Sequence, residues 1–162
     1  MMVIAAGIKS SDTAVQSGRP GLSQSMRAPG VRKCLVVSGD EGLRSRFEAV
    51  AELSGWSACD TPIDVADVDA AVDGDYQLVI VDIASPLGQR VNDSIEVAEE
   101  FAGRPGSLLV ICGSEDSAEE ELWARQLGAW AYLPGVASGD TLVSLCTDAR
   151  RLSERRQAWE YV

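Results

Sequence analysis

Residues Leu78–Gly88, LVIVDIASPLG, place four apolar residues in succession ahead of an aspartate, Asp82, with a proline, Pro86, four positions later. Three of the four are β-branched, and an unbroken apolar run of this length fits a strand covered on both faces. Such a strand needs no carboxylate at its tip. Asp82 therefore either closes the strand by bonding local backbone or carries chemistry.

The segments on either side decide what kind of sheet this strand joins. CLVV (Cys34–Val37) is a short apolar run halted by Ser38 and Gly39. Asp40 then stands as an N-cap for EGLRSRFEAVAELSGW, where Leu43, Phe47, Val50 and Leu53 or Ser54 follow a helical stripe that ends at Gly55. WSACDT predicts a weak strand opened by Trp56, and DVADVDAAVDG a short acidic helix closed by Gly74. Beyond Gly88, DSIEVAEEFAG predicts a helix and SLLVICG a strand. Ser117 or Ser114 opens a helix through AEEELWARQLGA, with Leu122 and Leu127 directed inward. AWAYLP predicts a fifth strand, and GDTLVSLCTDARRLSERR a last helix with Leu142, Leu145, Ala149 and Leu152 on one face.

Five strands alternating with five helices predict an α/β fold with a parallel sheet covered on both sides. The expected form is the flavodoxin-like doubly wound sheet, strand order 2-1-3-4-5. In that arrangement reacting groups gather at the carboxyl ends of the strands, near the switch between strands one and three. Asp82 lies at that address. The expected organisation is a flexible leader over 1–31, rich in Ser, Gly, Gln and Pro, a domain over 32–153, and a helix extension or tail over 154–162.

Composition narrows the function. The chain of 162 residues carries a net charge of −11, distributed unevenly. Residues 1–33 hold five basic residues against Asp12, whereas the remainder holds nine basic and 24 acidic residues. An acidic body of this kind repels phosphate backbones, which argues against direct nucleic-acid binding and leaves a solubilising surface or a basic partner. There is no histidine, so the commonest general base and metal ligand is missing. The four cysteines, Cys34, Cys59, Cys112 and Cys146, show no C-x-x-C spacing. They predict free thiols and a cytoplasmic location, with no metal and no cofactor. No run reaches the length of a membrane span. SGDEG (Ser38–Gly42) lacks the glycine spacing of phosphate-binding loops.

Over about residues 32–153 the chain resembles the response-regulator receiver domain, the phospho-accepting module of bacterial two-component signalling. LVIVDIASP is similar to the family's third strand, whose final aspartate accepts a phosphoryl group and is followed four residues later by proline; Asp82 and Pro86 match. LGAWAYLPG is similar to the stretch through the family's fifth strand, which places Tyr132 at the switch aromatic. The resemblance also implies an acidic pair at the end of strand one to hold magnesium, but Ser38 and Gly39 stand there, and Asp40 falls one position too far along. Cys112 occupies the place of the Thr or Ser that would bind a phosphoryl oxygen. Gly135 occupies the place of the lysine, and no lysine follows Lys33.

The expectation is therefore an atypical, degenerate receiver, a pseudo-receiver. It would be no enzyme, and would signal through protein–protein contact without metal-assisted phosphorylation of Asp82. The partners implied by the resemblance are a histidine kinase or an output domain, or a second copy meeting it through the fourth helix, fifth strand and fifth helix. Trp123 and Trp130 are candidates for that surface, with core packing as the competing role. Three alternatives stand beside it: a phosphorylatable receiver with ligands from Asp40 or Glu41, a small-molecule sensor using an apolar strand-end cleft, and a targeting module. Cys112 as a redox sensor has no nearby cation in the sequence to support it. Arg150, Arg151, Arg155 and Arg156 either complement the last helix's dipole or continue it as a connector.

Overall fold

A computed structural model describes residues 30–159. All but the last two residues of the expected leader, and residues 160–162 of the expected tail, lie outside the described residues. The elements run in order: β1 (Lys33–Val37), α1 (Glu41–Leu53), β2 (Ala58–Asp60), α2 (Val65–Val72), β3 (Leu78–Asp82), α3 (Val91–Ala102), β4 (Leu108–Gly113), α4 (Ala118–Leu127), β5 (Ala131–Pro134) and α5 (Gly139–Trp159). All strand pairs are parallel, in the order β2-β1-β3-β4-β5. This is the flavodoxin-like fold that the alternation of elements predicts.

The apolar runs divide between two cores because successive strand residues face opposite ways. Val36, Leu78, Ile80 and Val110 meet α1 and α5 through Phe47, Leu142, Cys146 and Ala149. Leu35, Val79, Val81 and Ile111 meet the helices on the other face through Val68, Val97, Phe101 and Ala124. The three central strands are buried on both faces, whereas β2 and β5, at the edges, are largely half-buried. Trp56 is buried ahead of β2, and its indole N–H donates to the carbonyl of Cys146 at 3.0 Å. It fastens the β2 edge to α5.

Local signals hold at most helix ends. Asp40 caps α1, accepting from the amides of Gly42 at 2.8 Å and Leu43 at 3.3 Å. Ser117, and not Ser114, caps α4. On α1 the stripe ends at Ser54, which is buried, while Leu53 is 81% exposed. Leu122 differs from expectation: it is 57% exposed. Ala124 is the buried residue of α4, and Leu122, two positions away, is turned by about 200° at 100° per residue. Trp123 and Leu127 take the half-buried flanks instead.

Phe47 is almost fully buried between α1 and the sheet. Phe47→Ala is expected to lower unfolding free energy by about 3–5 kcal/mol, measured by urea titration.

Candidate functional site

The ends of β1, β3 and β4 bring three of the singled-out residues together. Asp82 is the register partner of Cys112 on β4, and Ser38 directly follows the pair Val37–Val81. Ser38, Asp82 and Cys112 therefore stand side by side on the face that carries α1 and α5.

Asp82 is only 3% exposed, and its carboxylate is bonded from within. The Ser38 hydroxyl donates to Oδ2 at 2.6 Å, and the amides of Ala84 and Ser85 donate to Oδ1, each at 3.0 Å. The Ser38 hydroxyl in turn accepts from the Asp40 amide at 3.0 Å. Arg44 donates to the Ser38 carbonyl at 2.7 Å and steadies the loop between β1 and α1. Ser38 is thus a donor to the aspartate, at a place where a second carboxylate would repel it.

The two loops above Asp82 are closed on each other. The Gly39 amide donates to the Ser85 carbonyl at 2.6 Å. A Cβ at Gly39 would sit 2.7 Å from the Pro86 carbonyl oxygen, closer than real contacts allow. Glycine is the residue that lets the backbones approach this far.

Burial raises the Asp82 pKa above its ordinary value of 3.8; the bonds from Ser38, Ser85 and Ala84 pull it down, and the charge of Asp40 adds to the rise. Asp40 itself spends Oδ1 on the α1 cap. Among the described residues, no three His, Cys, Asp or Glu side chains are grouped so as to hold a metal ion. Cys112 is buried, and burial with the nearby Asp82 charge pushes its thiol pKa up, away from thiolate reactivity. All four cysteines are free.

Gly135 stands at φ +64°, a left-handed conformation that side chains rarely adopt, and its amide donates to the Gly113 carbonyl at 2.9 Å. A side chain there would also crowd Glu115. The position serves as a turn, with its backbone built for glycine.

Tyr132 is on the other face of the sheet, with the second core, and is not brought to Asp82. Its hydroxyl bonds the Ser114 carbonyl at 3.0 Å and Glu120 at 3.2 Å. Burial, and then Glu120, pushes its pKa up to about 12. Glu120 also accepts from the Ser114 amide at 2.6 Å, so it joins Tyr132 to the loop before α4. The sequence reading missed Glu120. Its signal was the spacing Ser117-x-x-Glu120, a capping-box pattern, although the carboxylate reaches Ser114 instead of the cap.

Trp123 and Trp130 are half-buried and pack on opposite faces of the sheet. The exposed large apolar residues around α4, β5 and α5 are Leu122, Val136, Trp159 at the end of α5 and, less so, Val143. The cleft at the strand ends is an open groove of about 650 Å³ lined by the two loops, including Gly39, Arg44, Pro86 and Gln89. Ser38, Cys112 and Pro134 do not line it.

No protein-family model matches the sequence, and no curated protein matches it. Solved structures do. A CheY-like response regulator receiver domain protein from Methanospirillum hungatei superposes with a TM-score of 0.64 at 18% identity, over 78% of this chain and 98% of that one. A response regulator receiver protein from Burkholderia phymatum gives 0.58 at 20% identity, over 73% and 94%. NtrX from Brucella abortus gives 0.64 at 20% identity over 79% of this chain, which takes up 28% of that longer protein. The fold of this chain is the fold of response-regulator receiver domains.

Two outcomes follow from this geometry. Gly39→Ala is expected to cost about 1–3 kcal/mol through overpacking against Pro86, read from denaturant midpoints. For Asp82, a raised folded-state pKa means that its contribution to stability is complete below the ordinary aspartate value and is lost as pH rises through the folded one. Asp82→Asn, which cannot ionise, should therefore gain stability relative to the parent as pH rises from about 4 to about 8 in urea titrations. A difference that stays flat would mean that burial does not govern this carboxyl.

Proposed function

We propose that this chain is a receiver-type signalling module that works through protein–protein contact and does not run metal-assisted phosphorylation at Asp82. Receiver domains are signalling modules, not enzymes in the ordinary sense, and the likeness of fold brings that class of role to this chain. The observation that carries the reading is the satisfied state of Asp82. Its carboxylate accepts one hydroxyl and two amides and is enclosed by the Gly39–Ser85 contact.

A phosphoryl group carried on Asp82 would need a cation to offset its charge beside Asp40. Ser38, Gly39, Cys112 and Gly135 supply neither a carboxylate ligand nor a cationic side chain. A charge-assisted contact of the kind a lysine gives to phosphate is worth about 1.5–3 kcal/mol. The phosphorylated form would lack that contact and the metal together.

The partner on this reading is a kinase or output domain, met at the surface of α4, β5 and α5. Leu122 and Val136 are exposed apolar residues there, and the Tyr132–Glu120–Ser114 network fixes the loop before α4.

Incubation with acetyl phosphate and magnesium, followed by intact mass measurement, is expected to leave the chain unmodified. A stable single phosphoryl adduct that disappears in Asp82→Asn would overturn the proposal.

A further inference from the structure

The face of the sheet away from the Asp82 side chain carries a groove of about 390 Å³ between α2 and α3. Its floor is apolar, formed by Val37, Val68, Leu87 and Val97. Its rim is acidic, with Asp69 from α2 and Asp93, Glu96 and Glu100 from α3. Arg104 pairs with Glu100 at 2.8 Å, and among the described residues no cation pairs with Asp69, Asp93 or Glu96. On the α2 side Val68 is buried, with Ala71 and Val72 half-buried against the same core.

Ser94 supplies a second, independent sign. It lines the groove, is 2% exposed, and its hydroxyl has no hydrogen-bond partner. Buried hydroxyls are rarely left unpaired in folded proteins, so one beside an open space points to something that fills it.

We infer that this groove binds a small organic cation, an ammonium or guanidinium group carried on an apolar body. The three unpaired carboxylates attract the charge, the valine and leucine floor takes the body, and Ser94 offers the polar contact. A bare metal ion does not suit the groove, because its acidic side chains are not grouped closely enough to hold one. The acidic rim on α3 runs only from Asp93 to Glu100, about 10 Å of helix, which fits a small molecule better than a docked helix. Val37 and Leu87 are chain neighbours of Ser38 and Pro86. The groove therefore lies one residue from the loops that enclose Asp82, yet its chemistry is independent of phosphorylation there.

Calorimetric titration of the full chain with phenylbutylamine and with agmatine tests the inference. Saturable one-to-one binding of at least one amine is expected, weakening as salt is added, with phenylbutanol about tenfold weaker than phenylbutylamine. Asp93→Asn with Glu96→Gln should weaken the amine by about tenfold with the circular dichroism spectrum unchanged. Val65→Trp, which fills the groove from its rim, should abolish binding. Absence of saturable binding for both amines, equal binding of the alcohol, or binding that survives both variants overturns the inference. Capture of a polylysine peptide in place of the amines, with the same dependence on Asp93 and Glu96, also overturns it, in favour of protein docking.

Discussion

A carboxylate at the tip of a strand buried on both faces must be hydrogen-bonded from within the protein, because water cannot reach it. Asp82 is in that position, and the arrangement of two loops follows from it. The turn after β3 folds back so that the amides of Ala84 and Ser85 reach one oxygen. Ser38 turns its hydroxyl to the other. The loop after β1 then lies close enough for Gly39 to bond Ser85, which only a residue without a side chain permits. The same contacts that keep the carboxylate satisfied leave Asp82 only 3% exposed.

This closure gives positive roles to residues that, as a pattern, look like losses. Ser38 and Gly39 lack the charge of metal ligands, but in the fold one is a donor and the other a point of close approach. Gly135 lacks a lysine's charge, but its left-handed backbone extends the pairing of β4 with β5. Cys112 packs as a small apolar residue against the α1 and α5 core. The strand ends thus form a junction of loops that encloses Asp82, and this burial raises its pKa.

The architecture was readable from residue patterns because they are local and strong. The apolar runs of β1, β3 and β4 and the caps at Asp40 and Ser117 each specify their element without help from distant residues. The expectation failed on α4, where Leu122, placed inward by its hydrophobicity, is 57% exposed and Ala124 is the buried residue. On α1, where the pattern left Leu53 or Ser54 open as the end of the stripe, Ser54 is the buried one and Leu53 faces outward. Hydrophobicity alone does not set the phase of a helix; contact with the sheet does. Glu120 was missed for a related reason, since its spacing marks a cap but its carboxylate reaches a neighbouring loop.

By itself the sequence determined the order of strands and helices, and the address of Asp82 at the end of the central strand. Both depend on periodicity and chain order, which any single segment displays. Only the tertiary structure decided that Ser38 bonds Asp82 across 44 positions of chain, that Gly39 seals the loops, and that α2 stands away from α3 to leave an acidic groove over Ser94. These depend on how far separate elements approach one another. That distance is set by packing across the sheet, which no single segment contains.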